Sequence, residues 1–507
     1  MEIMASVKLH DWIVEFKWFM RRLRSAGMLV SLLVWSASAT AGLDPFASNN
    51  TLYPTETGNK FRVSNYDYPT ASGSVKYKSV TPMFDPYGAG GLPIKPLSTR
   101  AGGSSVKAYI KYVRDFITPA VQGAINDPAN WSSAQVGWYD MIWNANGSKL
   151  PDGSIDAESG REALIGAYTG QILPPTTFRA YTDKKGNTVL PPTEYFQNHA
   201  VIYYNDTAAG LLGKIWKDPF DPDLSDTQYP CGSVVVKIEF VTLDSTQWGA
   251  MENSFGPNVF RPTVKDLLDS SVKVKPAKIV PTTFSQLVVK VKDPVASPDT
   301  GWVFMVFAYD KDVPGTTPDT VWDRATAVGA MWGNDPELAN NPGGIAPNGG
   351  ALQETWINPD APKYAMATLG WGGRLSGPMD LGTRHNVVTV SGERYACDPA
   401  PGECPTFPAS SCLSCHGSSQ FPFVMNLYPS PNLIFPRDGK DEFLLYDPGT
   451  AEWAEWFQNR SGNEAMAGSG WTGIVATDYD MLLTFSIMAA NAAAGGNDFL
   501  LHHMPGH

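Results

Sequence analysis

Residues 233–242 read SVVVKIEFVT and residues 302–309 read WVFMVFAY. Both stretches are rich in β-branched and aromatic residues, which favour extended strands. Residues 200–204 (AVIYY) and 286–291 (QLVVKV) have the same character, and clusters of turn-forming residues separate the four stretches. Several of them alternate apolar with other residues, as half-buried antiparallel strands do. The sequence therefore predicts a large antiparallel, sandwich-like core.

Helices are predicted near the start of this core. In residues 106–117 (VKAYIKYVRDFI), apolar residues recur every four positions and so share one helical face. Residues 162–172 form a second candidate helix, which a pair of prolines ends. The fold class is thus α+β, with a β-rich mixed domain over residues 106–394. Residues 42–105, rich in Gly, Pro, Ser and Tyr, are expected to form an irregular lead-in.

The composition excludes several classes of protein. The chain has 507 residues, of which 43% are hydrophobic and 17% charged, so it can bury a large core and is not intrinsically disordered. Its net charge is -12. An acidic chain without basic runs repels phosphate backbones, so we expect no nucleic-acid partner.

The first residues have the pattern of an export signal. Arg21, Arg22 and Arg24 precede a short apolar run at residues 27–35, and small residues follow it. This order is typical of a cleaved secretory signal peptide, here residues 1–41. The run is shorter than the about 20 apolar residues that cross a bilayer. We therefore predict a periplasmic protein without an integral membrane span.

Toward the C-terminus the pattern changes from strand to helix. Residues 451–457 and 478–494 are the best helix candidates, and Asp478 can act as the N-cap of the second. A segment rich in Cys and Pro precedes this region and indicates a domain boundary. We predict a small, mostly α-helical domain over residues 395–507.

Residues 412–416 read CLSCH. Thiols three residues apart can bond to the two vinyl groups of one porphyrin, and the His that follows is then placed under the iron. A thioredoxin-like cysteine pair would need a βαβ setting, and a structural zinc site would need two more ligands at matched spacing. The motif therefore predicts one covalent haem c, bonded to Cys412 and Cys415, with His416 as the proximal iron ligand.

With this motif, residues 395–507 resemble the class I cytochrome c domain. In that family the attachment motif is followed by a loop that carries a methionine ligand, and then by a C-terminal helix. The resemblance implies that Met466, in the Gly-rich residues 462–468, is the distal iron ligand.

Other distal ligands stay open. Met425 lies in a Pro-flanked segment, and His502 or His503 could bind the iron instead, whereas Met481 and Met488 are expected to pack in the core. A vacant sixth position is the remaining alternative. Haem propionates need cationic or N–H donors. The candidates are Arg437, Lys440, Arg460, Trp453, Trp456 and Trp471. Ordinary packing or a solvated surface also explains each of these residues.

Three cysteines lie outside the motif. Cys397 and Cys404 are the nearest pair along the chain, so in an oxidising compartment we expect them to form a disulfide. Cys231 would then be buried or free.

Two Gly- and Trp-containing segments stand out in the large domain, residues 331–336 (MWGNDP) and 371–374 (WGGR). We interpret them as rigid turns with packed Trp side chains. Contact with the haem domain or a substrate is the alternative.

The predicted function is that of a periplasmic c-type cytochrome, which passes single electrons to or from a redox partner protein. No catalytic residue is assigned. One alternative is an oxidoreductase whose N-terminal domain binds a small-molecule substrate, and another is a haem-based sensor of small ligands. A single attachment motif argues against a two-haem peroxidase.

Overall fold

An antiparallel sheet of seven strands is the centre of the computed structural model. The structure describes residues 45–46, 65–69, 96–143, 160–272, 275–314, 320–338, 352–380, 386–395, 410–431, 442–466 and 472–495. The predicted signal peptide lies outside these residues, and so do several predicted functional residues: Cys397, Cys404, Arg437, Lys440, Trp471, His502 and His503.

The seven strands follow one another in space in the same order as in the chain. They are β1 (Tyr168–Leu173), β2 (Phe196–Tyr204), β3 (Val234–Val241), β4 (Thr283–Lys292), β5 (Trp302–Tyr309), β6 (Ala325–Met331) and β7 (Thr355–Ile357). The four stretches predicted as strands are confirmed, because they lie in β2, β3, β4 and β5. Strand pairs of two to four residues occur in the connections: Tyr181–Thr182 with Thr188–Val189, and Asn258–Arg261 with Lys278–Pro281.

The helix predicted over residues 162–172 is wrong. This stretch instead ends in β1, which pairs with β2 through Tyr168 and Ala200. The carboxylate of Glu162 accepts hydrogen bonds from the backbone N–H groups of Ile165 and Phe260, at 2.7 and 2.6 Å. These bonds fix a turn where the first helical turn was expected, so tertiary pairing overrides the local pattern.

The α+β class is confirmed, but the core is not built as two packed sheets. In the described part of the chain, every sheet other than the seven-stranded one has two or three strands. The longest helix, α1 (Arg100–Asn126), contains the helix predicted over residues 106–117 and begins inside the expected irregular lead-in. A shorter helix, α2 (Asp206–Ile215), follows β2 directly.

Helix α1 covers one face of the sheet. The guanidinium of Arg114 lies 5.6 Å from the ring centre of Phe307 on β5. The Tyr109 hydroxyl donates to a carboxylate oxygen of Asp293, just after β4, at 2.9 Å. Because successive strand residues point to opposite faces, Phe304 belongs to the other face.

Residues of the C-terminal segment cover that second face. Asp478 accepts hydrogen bonds from the Trp302 indole N–H at 2.7 Å and from the Lys292 ammonium at 2.6 Å. Asp480 accepts a bond from the Tyr229 hydroxyl at 2.7 Å. The expectation of half-buried strands is therefore corrected: the alternating polar residues face a protein layer instead of water.

The C-terminal segment contains short helices and short strands. Its helices are α3 (Cys412–His416), Ala451–Ala454 with the 3-10 turn Glu455–Phe457, and α4 (Met481–Ala493). Its strands belong to two small sheets. In the first, Gln420–Phe421 pairs with Val475–Ala476. In the second, Glu442–Leu445 pairs in parallel with Asn386–Thr389, and Asn386–Thr389 also pairs with Arg394–Tyr395. The two predicted helices are thus present.

The N-cap of α4 is Asp480 and not Asp478 as predicted, since the Asp480 carboxylate accepts from the Leu483 N–H at 3.2 Å. Asp478 has a positive φ of 51°, and its carboxylate accepts a hydrogen bond from the Trp302 indole of the sheet.

Buried side chains on both sides of the predicted boundary at 394/395 belong to one core, in which Leu413 and Leu483 pack with residues of the sheet. A separate cytochrome c-like domain stays a prediction. Among the described helices, none combines the length and the hydrophobicity that a membrane span requires.

The contacts of Asp478 predict a large loss of stability in Asp478→Ala. The substitution leaves the buried Trp302 N–H, the Tyr229 N–H and the Lys292 ammonium without their acceptor. We expect a loss of about 3–5 kcal/mol in the free energy of unfolding, measured by urea denaturation. Asp226→Ala is the control, because Asp226 pairs with Lys214 at the surface at 3.9 Å. The control should cost at most about 1 kcal/mol, and equal losses would contradict the assignment.

Candidate functional site

Helix α3 presents the CLSCH motif from a fixed position. The Ser411 hydroxyl caps the helix by accepting from the Ser414 N–H at 3.0 Å. The Cys412 N–H donates to the Leu375 carbonyl at 2.9 Å, which ties the start of the helix to the segment that follows the sheet. Cys412, Cys415 and His416 all line one pocket.

This pocket, which we call the central pocket, lies between α3, α4 and the second face of the sheet. The space inside it, counted together with the solvent at its open mouth, is about 1230 Å³. Its apolar lining residues include Ile202, Val235, Val288, Phe304, Leu427 and Phe485. Its polar groups include Tyr168, Gln171, Lys237, Lys290, Asp380 and Tyr428.

The floor of the central pocket consists of two cross-strand rows of the sheet. Strand register places Ile202, Lys237 and Val288 in one row and Val235, Lys290 and Phe304 in the next. Each row therefore carries one lysine among apolar neighbours. The two lysines lie on adjacent strands, β3 and β4.

His416 is held as a neutral imidazole. Its Nδ1 lies 2.9 Å from the backbone oxygen of Tyr479, and its ring lies 4.9 Å from that of Phe304. Because a carbonyl oxygen only accepts, Nδ1 carries the hydrogen and the lone pair is on Nε2. Burial, together with the nearby charge of Lys290, lowers the pKa of His416 to about 4. At neutral pH the ring is therefore a competent metal ligand.

The two thiols of the motif are protonated in this environment. Burial, with a contribution from the Asp380 carboxylate, raises the pKa of Cys415 to about 12 and that of Cys412 further. Cys231, by contrast, is exposed and forms no disulfide with any described residue.

Lys237 forms a half-buried ionic cluster in the central pocket near the thiols. Its ammonium lies 2.5 Å from Asp380 and 2.6 Å from Glu239. Glu239 also accepts from the Asn198 amide at 2.9 Å, and burial raises its pKa. Burial alone would lower the pKa of Lys237, but the two carboxylates outweigh it and raise that pKa.

Met466 lies in a different part of the structure. It is fully buried in a group that we call the Trp cluster, formed with Trp371, Trp453, Trp456 and Phe457. Met425 packs against the same cluster. Among the described methionines, only Met481 lines the central pocket with His416.

The propionate candidates in the described residues have other contacts. The Trp456 indole donates to the Asn426 carbonyl at 2.8 Å, and Arg460 pairs with Glu455. Trp453 stacks on Phe457 in the Trp cluster. Among the described residues that line the central pocket, none is one of these three candidates.

The segments 331–336 and 371–374 brace the motif. The buried Arg374 guanidinium donates to the backbone oxygens of Asn334 and Asp335, at 2.7 and 2.8 Å. The Trp371 N–H donates to the Ser410 carbonyl at 3.0 Å, and the Asn334 amide donates to the Gln458 carbonyl at 3.0 Å. Both are turns with packed Trp side chains, as interpreted, and both also contact the C-terminal segment.

Comparisons of the chain with protein-family models, curated proteins and solved structures find no match. Sequence reasoning missed Lys237, Lys290 and Asp380 as pocket residues. The two lysines carried a signal, since each interrupts an otherwise apolar stretch of a strand (VVVKI and LVVKV). The sequence around Asp380 carried no such signal.

The thiol environments predict selective labelling of the protein made without haem attachment. With a pKa of about 12, Cys415 has on the order of 10³ less thiolate at pH 8 than an ordinary thiol. We expect a thiol-alkylating reagent to modify Cys231 first and the motif cysteines at least about a hundredfold more slowly. Mass spectrometry of peptides measures this ratio. Urea should abolish the difference, and equal labelling of the folded protein would contradict the buried placement.

Proposed function

We propose that this protein is a c-type cytochrome that holds one covalent haem in the central pocket and transfers single electrons. The observation that carries the proposal is the hydrogen bond between His416 Nδ1 and the Tyr479 carbonyl. Metal-binding histidines usually donate their second ring N–H to a carbonyl or carboxylate, which orients the ring and raises its basicity. His416 has this arrangement beside two thiols at the required spacing.

The chemistry of the central pocket fits a haem. Aliphatic and aromatic side chains of the sheet and α4 would pack on the porphyrin and exclude water. Tyr168, Tyr428 and Gln171 carry donor groups of the kind that propionates need. When bound, the haem iron supplies the one-electron exchange between ferrous and ferric states. The protein contributes attachment, the proximal ligand and an apolar setting.

The sixth iron position has two methionine candidates. The family resemblance implies Met466, whereas the lining of the central pocket favours Met481. If neither thioether binds, the position is vacant, and the placement of Met466 in the Trp cluster is the observation that favours this alternative. The protein would then bind small ligands as a sensor, or act on a substrate as an oxidoreductase.

The covalent link predicts that porphyrin stays with the denatured protein. After export in a host that matures cytochromes, the full chain should keep its haem colour and the added porphyrin mass in acid acetone. The double variant Cys412→Ser/Cys415→Ser should lose both, while Cys231→Ser, the matched control, should keep both. Wild-type protein that becomes colourless under these conditions would refute the proposal.

The distal ligand is tested by replacing each thioether with a side chain of similar volume. A weak far-red absorption band of the ferric protein marks His/Met ligation. We expect Met481→Leu to abolish the band and Met466→Leu to keep it, with a change in stability below about 1.5 kcal/mol for the latter. The reverse pattern would establish Met466, and a high-spin wild-type spectrum would establish a vacant position.

A further inference from the structure

We propose that Lys290 tunes the proximal ligand and raises the reduction potential of this site; the inference rests on the proposed haem. Lys290 is a positioning residue, since it acts through the Tyr479 carbonyl and through its charge and is not itself an iron ligand. It lies near the C-terminal end of β4, on the face that forms the floor of the central pocket.

The Tyr479 carbonyl oxygen receives two hydrogen bonds. The Lys290 ammonium donates to it at 2.9 Å, and His416 Nδ1 lies at the same distance of 2.9 Å. A carbonyl oxygen has two lone pairs, so both donors can be accommodated at once. The lysine and the histidine therefore share one acceptor, although 126 positions separate them in the chain.

The Lys290 ammonium is buried beside a carboxylate and an aromatic ring, and its pKa is lowered on balance. Its side chain is only 6% exposed, and its ammonium lies 3.5 Å from Asp480. It also lies 4.9 Å from the ring centre of Trp302, in cation–π geometry. Burial lowers the pKa of Lys290, while the carboxylates of Asp480 and Asp478 oppose this shift.

The shared acceptor lowers the electron-donor strength of His416. An unshared carbonyl would pull strongly on the Nδ1 hydrogen and increase the electron density on Nε2. Lys290 draws density from the same oxygen, so this pull is weaker. Its positive charge also disfavours the ferric state, which carries one more positive charge than the ferrous state. Both effects favour the ferrous state, and hydrogen bonding around the axial ligand is one of the known controls of haem potential.

Lys292 separates this role from simple structural pairing. It lies two residues further along the same strand and therefore on the same face, where it pairs with Asp478 at 2.6 Å. It also lies over the Trp302 ring, at 5.2 Å. Neither the central pocket nor the Tyr479 carbonyl is among its contacts in the described residues. If buried lysines only hold the C-terminal segment, the two residues should behave alike.

The test compares Lys290→Met with Lys292→Met in the full-length, haem-loaded protein. Spectroelectrochemical titration gives the midpoint potential of each. We expect Lys290→Met to favour the ferric state by about tenfold, which is about 59 mV toward lower potential for a one-electron couple. Lys292→Met should shift the equilibrium by less than about threefold. Equal shifts in both variants, or no shift in Lys290→Met, would overturn the inference.

Two further measurements cover failure of folding and failure of the proposed haem. Lys290→Arg keeps a charged donor and should keep most of the wild-type potential. A drop in potential as large as in Lys290→Met would contradict the mechanism.

In the haem-free protein, NMR of labelled histidine reports the His416 Nδ1 hydrogen directly. Lys290→Met should move this signal downfield, because the hydrogen bond strengthens. A wild-type protein without haem would refute the proposed function, and an unchanged NMR signal would refute the role of Lys290.

Discussion

The turn at residues 478–480 is the interaction on which the second half of the structure depends. Its two carboxylates are buried against Lys290, Lys292 and three aromatic residues, which are Tyr204, Tyr229 and Trp302. Burying charges is costly unless every charge is paired and hydrogen-bonded, and here each carboxylate has several donors. The same turn supplies the Tyr479 carbonyl, so one local arrangement both attaches the C-terminal segment to the sheet and orients the His416 ring.

Because of this attachment, the central pocket is a shared structure. The motif provides thiols and imidazole, and the sheet provides the floor and both lysines. A polar face on a central strand would ordinarily be exposed to water. Here the polar side chains of that face, such as Glu239 and Lys290, are satisfied by other polar groups of the same layer or of the covering segment. The sheet thus contributes to the electrostatics of the site as well as to its shape.

The sequence predicted what depends on neighbouring residues and missed what depends on distant ones. The strands and the α1 helix follow from local composition and periodicity, and the CLSCH spacing is a local chemical requirement. The burial of Lys290 is a contact across 189 positions with Tyr479, and strand alternation alone assigns such a residue to solvent. Residues 162–172 show the same limit, because their helical pattern yields to pairing of β1 with β2. Met466 is implied as a ligand only by its order in the chain, which does not determine its place in space.

The distribution of charge around the central pocket explains why the position of a lysine matters more than the number of lysines. Near the thiols, the Lys237 ammonium is shared by the carboxylates of Asp380 and Glu239, so this part of the pocket has more carboxylates than cations. Burial raises the pKa of Glu239 and so favours its neutral form. Near His416, Lys290 faces Asp480, whose carboxylate is also hydrogen-bonded by the Tyr229 hydroxyl. Lys290 nevertheless has a larger effect on the pKa of His416 than Asp480 has. The field at the imidazole is therefore set mainly by the nearest ammonium, and interactions in this buried region are screened far less than they are in water.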